Sequence, residues 1–477
     1  MAKAQTKTKA DRSPLELLEK YERPGGSTIF TMFPHLTDAG NAERFAYYQK
    51  DESCFCDPWK RWLVWNELRW IPDNRNEILK RSKKILRELH HEIGSIRNDV
   101  QRAAIASHIA KSESDSKIRA FLHLAQGELP AVPDDFDRLP WELNVENGTI
   151  DLQTGERRKH NPGDMITKLA NVAHNPDAEC PHWLSFLDRI FGGNADLILF
   201  LQKAVGYSLT GDTREQCLFI LYGSGANGKS TFLHPLRKML SDYGQQTSIE
   251  TFMIKRNDQI PNDLAALKGA RFVSAVEAEQ GRRLAESMVK QLTGGDRIAA
   301  RFLHQEWFEF EPQFKIFLAT NHKPIIRGSD LAIWRRIRLI PFTVTIEPEE
   351  QDRELPLKLE AELPGILNWA LEGCKEWQES GLEMPEEVKA ATDAYRSEMD
   401  VMSAFFDDCC CVEKNTMAKA SDLYAGFVSW AERSGEYKLK QRAFGMQLTE
   451  RGFDSIHQRD GNWWLGIGLR EENAPCE

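Results

Sequence analysis

The chain has 477 residues, 41% of them hydrophobic and 28% charged, and a formal net charge of −10. That is about three times the roughly 150 residues of an average domain, and the composition excludes a wholly disordered or fibrous chain. No apolar run approaches the roughly 18 residues of a membrane span, and the acidic balance means that any nucleic-acid surface must be local.

Residues 1–35 begin polar and basic (MAKAQTKTKADRSP), with no apolar stretch behind. This predicts a flexible arm and not a secretory signal. The nine cysteines form no C-x-x-C pair, as expected of free thiols in a reducing cytoplasm. Trp59, Trp62, Trp65 and Trp70 recur near-alternately around Asn66-Glu67, the pattern of a hairpin that packs its tryptophans into a small core. Residues 75–125 read as helices. Their basic stretch, Lys80, Arg81, Lys83, Lys84 and Arg87, could touch phosphate, but a charged outer helix face is the commoner reading. Short alternating segments punctuated by Asn147-Gly148 and Thr154-Gly155 predict small strands over 143–160, and 181–210 returns to helix. Residues 36–210 thus read as a mainly helical domain with small strands.

From 216 the texture changes. Apolar runs at 216–222, 270–276, 315–319 and 335–342 alternate with helical patterns. Buried strands separated by helices predict an α/β fold with a mostly parallel sheet over 211–350. Residues 351–405 read as a helical lid or connector. Residues 406–477 hold two amphipathic helices (about 418–433 and 440–451) and a hairpin around Arg459-Asp460-Gly461, the layout of a winged helix.

Gly223-Ser224-Gly225-Ala226-Asn227-Gly228-Lys229-Ser230, followed by Thr231, matches G-x-x-x-x-G-K-[ST] in full, between an apolar run and a helical one. Glycines let main-chain N–H groups turn inward around phosphate oxygens, and the helix N-terminus adds positive potential. Lys229 would charge-pair with the β- and γ-phosphates of ATP, and the Ser230 hydroxyl would ligate Mg²⁺. Glu277 and Glu279 follow the next apolar run and share one side if the strand continues. Glu277 is expected to order metal and water, with Glu279 as second partner. Asn321 ends a further run, where an amide either contacts the γ-phosphate and attacking water or caps the turn before Pro324. Arg335 and Arg336 precede the last run, and one of them is expected to serve as an arginine finger. If neither reaches its own loop, the finger must come from a neighbouring subunit.

As a set, GSGANGKST, NDLAALKGARFVSAVEAEQG, MVKQLTGGDRIAARFLHQEWFEFEPQFKIFLATNHKPII and DLAIWRRIRLIPF resemble the superfamily 3 replication helicases of phages and plasmids. That type includes the phage P4 and poxvirus primase–helicases. The motifs run in family order from Gly223 to Arg336. Residues from about 60 to 210 resemble the domain before the motor, and 400–470 its terminal winged helix. The resemblance implies an AAA+-like motor assembled as a hexameric ring, with ATP hydrolysed at subunit interfaces. It also implies 3′→5′ translocation on single-stranded DNA at forks, in a bacterial host cytoplasm, with a separate primase or origin-binding protein as partner. In the family a hairpin enters the channel. Here that segment is Lys290 to Phe314, with Lys290, Arg297, Arg301 and His304 as its basic members, Phe302 pinning it to the core and Asp296 structural. A basic loop tracking a phosphate backbone is what sequence-tolerant translocation requires.

Lys440 and Arg442, with Gln447, sit where a recognition helix would meet DNA, although the same helix could dock a protein. Primase chemistry is not expected. The first 140 residues show no pair of metal-binding carboxylates on a strand, and Cys54-Phe55-Cys56 lacks a second pair at metal-ligand spacing. Two other readings stand beside the helicase: an origin-melting or loading ATPase without processive unwinding, and a P-loop protein remodeler or packaging motor.

Overall fold

A computed structural model describes residues 28–254, 262–276, 281–302, 307–327 and 331–470. The chain divides into two units, one ending at Ala173 and one beginning at His174.

The first unit contains helices α1 (Ile29–Met32) and α2 (Asp38–Gln49), then strands β1 (Ser53–Cys56), β2 (Arg61–Trp65) and β3 (Trp70–Pro72). Helices α3 (Glu77–Glu92), α4 (Asp99–Ser112) and α5 (Asp115–Glu128) follow. Strand β4 (Pro130–Ala131) runs parallel to β1, and β5 (Glu142–Val145), β6 (Gly148–Asp151) and β7 (Arg157–Arg158) form a separate meander. The tryptophan hairpin forms as expected, with Trp65 opposite Trp70. Its turn is held by the Asn66 side chain, which accepts from Leu68 N at 3.1 Å and Arg69 N at 2.8 Å. Trp62 packs edge-on against Phe45 and Phe55, and Trp65 and Trp70 are buried, so these rings build core, whereas Trp59 stacks on Phe136 at the surface. Helix α3 buries Ile78, Ile85, Leu86 and Leu89 against Phe45, Ile109 and Phe121. That spacing is one stripe of a 3.6-residue helix.

The second unit begins with α6 (Pro181–Phe191) and α7 (Ala195–Leu209). These helices, expected in the domain ending at 210, pack on the sheet unit instead, so that boundary is corrected to Ala173. Helical periodicity shows an apolar stripe but not what covers it. Trp183 of α6 stacks on Phe232 at 5.5 Å. Further along come β8 (Leu218–Tyr222), α8 (Lys229–Leu240), β9 (Gly244–Ser248), α9 (Asn262–Ala265), β10 (Phe272–Val276), α10 (Glu286–Gly294), β11 (Ile298–Ala300), β12 (Phe308–Phe310), β13 (Lys315–Thr320), α11 (Leu331–Trp334) and β14 (Ile337–Pro341). The sheet order is β14-β8-β13-β10-β9, and every pair is parallel. Four of these strands are the apolar runs. The fifth, β9, reads Gly-Gln-Gln-Thr-Ser and is partly exposed at the edge, so it carries no apolar run to announce it.

Helices α12 (Leu355–Ala361), α13 (Leu363–Ser380) and α14 (Glu386–Glu398) follow. Helices α7 and α13 meet at glycines. A Cβ on Gly206 would lie 2.0 Å from Cys374 N, and one on Gly373 would lie 2.1 Å from Gln202 O. The last elements are α15 (Val401–Cys409), β15 (Cys410–Cys411), β16 (Met417–Lys419), α16 (Ala420–Ser434), α17 (Gln441–Glu450), β17 (Ser455–Gln458), β18 (Gly461–Leu465) and β19 (Gly468–Leu469). Two helices are followed by the antiparallel pair β17–β18, as the patterning predicts. The expected boundary at 406 falls inside α15, because Met402 and Phe405 belong to the same core as Phe427, Phe444 and Trp464.

Candidate active site

The loop 223–228 leaves the carboxyl end of β8 and enters α8, so α8 aims its N-terminus at the space beyond the sheet. Its backbone needs small residues. Gly225 and Gly228 have φ of 113° and 83°, and Ala226 holds 48°, a region costly for a side chain. A Cβ on Gly223 would sit 2.4 Å from Phe342 O, and one on Gly228 2.8 Å from Ile190. The segment after β14 braces the loop: Asn227 Nδ2 donates to Phe342 O at 3.2 Å, and Ile346 N donates to Ala226 O at 2.8 Å.

These residues open on a cleft of about 250 Å³ lined by Gly225 to Thr231, Val276 and Ala319 to Asn321. The lining therefore joins the loop to the carboxyl ends of β10 and β13, where ligands of open α/β sheets sit. Ser224 and Ser230 are exposed, while Lys229 is 7% exposed. Lys229 Nζ donates to Gly223 O at 2.7 Å, Asn227 Oδ1 at 2.9 Å and Asn321 Oδ1 at 3.0 Å. The structure thus joins Lys229 and Asn321, which lie 92 residues apart. Burial lowers the Lys229 pKa from its ordinary value. Its three donors are all engaged, so an anion entering the cleft must take at least one of them. Glu277 and Glu279 lie outside the described residues; the strand leading to them ends at Val276, which lines the cleft.

Arg335 and Arg336 are elsewhere. They precede β14, whose Ile337 pairs with Leu218 and whose Pro341 pairs with Tyr222. Five residues of strand, about 16 Å at 3.3 Å each, separate Arg336 from the cleft end. The two arginines differ sharply. Arg336 is buried and donates to Thr293 Oγ1 at 3.1 Å, Ala332 O at 2.6 Å and Gln216 Oε1 at 3.3 Å. Arg335 is exposed.

The hairpin forms as β11 and β12, with Ile298 opposite Phe310 and Ala300 opposite Phe308. Lys290, expected on it, sits on α10 instead, because Val289 and Leu292 continue a buried helical stripe to Gly294. Arg297 pairs with Glu311 at 3.3 Å on an exposed edge. Arg301 lies over the Trp307 ring at 4.9 Å, and Phe302 stacks on Phe308 at 5.8 Å. His304 lies outside the described residues. Trp307, 55% exposed beside Arg301, escaped the reading of charges; an aromatic inside a basic loop was its signal. Lys440, just before α17, and Arg442 on it are exposed, whereas Gln447 is bonded to Arg451 at 2.5 Å.

Among the described residues no group of three or more His, Cys, Asp or Glu could hold a metal ion, and no helix is long and apolar enough to cross a membrane.

Comparisons with known proteins match three stretches of the chain. The family described as D5 N-terminal-like matches residues 42–192, and the poxvirus D5 protein-like family matches 397–462. Between them, residues 221–336 match a family of unknown function. A provisionally named helicase of Acanthamoeba polyphaga mimivirus is 29% identical over 321 residues, covering 62% of this chain and 33% of its own length. A provisionally named primase of African swine fever virus is 23% identical over 273 residues, covering 56% of this chain and 27% of its own. The chain spans about a third of the length of the first curated relatives it matches. Among solved structures, the apo NrS-1 C-terminal region superposes with a TM-score of 0.51 at 11% identity, covering 90% of this chain and 99% of that one, a likeness of fold. The resemblance to the poxvirus D5 type therefore holds at both ends of the chain.

Proposed function

We propose that this chain, which resembles the poxvirus D5-type superfamily 3 helicases at residues 42–192 and 397–462, is an ATP-dependent DNA helicase for replication of a phage, plasmid or mobile element. It works as a hexameric ring that translocates 3′→5′ on single-stranded DNA, with the second unit as an AAA+-like motor. One observation carries this reading: Lys229 and Asn321 share a hydrogen bond across the cleft that the glycine loop opens. A buried cation, turned-in backbone donors and a helix N-terminus at one cleft are complementary to a nucleoside triphosphate. Mg²⁺ would arrive with ATP and be held by Ser230 and Glu277. Bound Mg²⁺ would neutralise charge developing on the phosphate oxygens. Lys229 binds the β- and γ-phosphates, Asn321 senses the γ-phosphate, and Glu277 with Glu279 orients water. Arg335, exposed and remote from its own cleft, is the residue left to complete a neighbour's site. Arg297, Arg301 and Trp307 face the strand being moved.

The test is the ATPase rate with and without single-stranded DNA, on wild type and Lys229→Ala, with mass measured on the same samples. Turnover that is DNA-stimulated and Lys229-dependent, in a species of about six chains, is the expected result. Turnover indifferent to DNA would move the reading to a remodeler or loader.

A further inference from the structure

We propose that the outer face of α3, in the first unit, is a second DNA-backbone site, separate from the motor's hairpin. It rests on the reading of this chain as a DNA-handling protein but uses different residues. At about 100° per residue, Lys80, Lys83, Lys84, Arg87, His90 and His91 fall within an arc of about 120°. Lys80, Lys83, Arg87, His90 and His91 are exposed and Lys84 is half-buried. The helix turns its acids the other way. Glu88 is 6% exposed and Glu92 8%. Glu92 accepts from Ile29 N at 3.2 Å and Tyr48 Oη at 2.9 Å, and burial raises the Glu88 pKa. Only Glu77, at the first turn, stays near the stripe, pairing with Lys80 at 2.6 Å. Lys83 and Arg87 have no ion pair among the described residues.

Burying two carboxylates while exposing Lys80, Lys83 and Arg87 is costly for a merely solvated helix, since carboxylates are cheapest in water. The result is three exposed Lys/Arg, with Lys80 paired to Glu77 and Lys84 half-buried beside them, within roughly 10 Å of helix axis. One DNA strand presents a phosphate about every 3.4 Å, so the stripe matches two or three successive phosphates. The chain's net −10 does not oppose this. Charges more than about 8–10 Å away are largely screened at physiological salt, so an approaching phosphate meets the stripe and not the total.

The experiment is nucleotide-free binding of the full chain to a single-stranded and a duplex oligonucleotide across a salt series. Wild type is compared with Lys83→Gln/Arg87→Gln and with the charge-keeping Lys83→Arg/Arg87→Lys. The neutral variant is expected to bind about tenfold more weakly, and its slope of log K against log salt should fall by about 2 on duplex and about 1.4 on single strands. The charge-keeping variant should behave as wild type, and melting temperature and basal ATPase should not change in either. Equal loss on both oligonucleotides marks backbone recognition. Wild type and neutral variant binding alike, with one slope, overturns the stripe and leaves the helicase reading standing. A wild type that binds neither oligonucleotide at low salt overturns both.

Discussion

Two lysines at opposite ends of one strand region are each held by three acceptors, and the acceptors differ in kind. Lys315 opens β13, and Asn321, which holds Lys229, follows its end. Each lysine is nearly buried and donates to three oxygens. Those of Lys315 are the main-chain carbonyls of Thr210 at 2.5 Å, Asp212 at 3.0 Å and Gln313 at 3.3 Å, with the Tyr207 ring 4.4 Å away. Beside it, Arg271 donates to Leu209 O at 2.6 Å. Both cations thus close the carboxyl end of α7, where carbonyls lack helical partners and the dipole favours positive charge. Two of the three acceptors of Lys229 are side-chain amides, and its site opens on a cleft. Amide acceptors can rotate away when an anion competes; carbonyls fixed in a packed layer cannot. The same bond count therefore leaves side-chain acceptors beside a cleft at one end of the sheet and main-chain acceptors at the other.

Substitutions should separate the two ends. Lys229→Ala is expected to remove measurable ATP hydrolysis while the protein melts within a few degrees of wild type; near-normal turnover would end the assignment of the loop. Arg335→Ala comes next, with a loss on the order of a thousandfold, the scale of an arginine finger. Because Arg335 lies away from its own cleft, mixing Arg335→Ala with Lys229→Ala subunits should restore part of the activity. Two dead proteins that stay dead on mixing would put the arginine in another role. Lys315→Met should act on stability instead. It leaves the buried carbonyl of Thr210 and the part-buried ones of Asp212 and Gln313 without this donor, at about 3 kcal/mol, read by denaturant unfolding. Turnover per folded molecule should hold, and lost turnover at unchanged stability would break the comparison.

Sequence made one end of the sheet far more legible than the other. The glycine loop is contiguous, and its chemistry forces residue types into fixed spacing, so Gly223 to Ser230 could be read directly. Asn321 could be read because it follows an apolar run. Lys315 could not, because a lysine at the start of FKIFLA looks like any charge bounding a strand; its partners, Thr210 and Asp212, are 105 and 103 residues away. The same limit hid the burial of Arg336. Arg335-Arg336 is a symmetric pair in sequence, and only packing against Thr293 and Gln216 tells them apart. Periodicity likewise revealed α6 and α7 but not the unit they join, since Gly206 and Gly373 meet only in three dimensions. Edge strand β9 lacked a signal because a half-solvated strand needs no apolar run.

The smallest effect is expected where a charge is held neither at a cleft nor in the core. Asp400 caps α15, accepting from Met402 N and Ser403 N, each at 3.1 Å, and pairs with Arg451, just past α17, at 2.5 Å. Burial alone would raise its pKa, but the bonds from Arg451 and Ser403 outweigh it and leave the carboxyl below its ordinary value. A carboxylate depressed in the folded state contributes stability above its unfolded pKa of about 3.9 and loses it as pH falls through the folded value. Asp400→Asn keeps an amide oxygen to cap the helix and removes only the charge. It should cost about 1 kcal/mol at pH 7. The difference from wild type should begin to shrink below about pH 4, where the unfolded carboxyl protonates, and go as pH falls through the lower folded value. Thermal melts of both proteins at pH 7 and pH 3 check this. A gap that persists at pH 3 would assign the loss to disturbed packing around α15, and no gap at pH 7 would mean that Arg451 is held by its bonds to Gln447 alone.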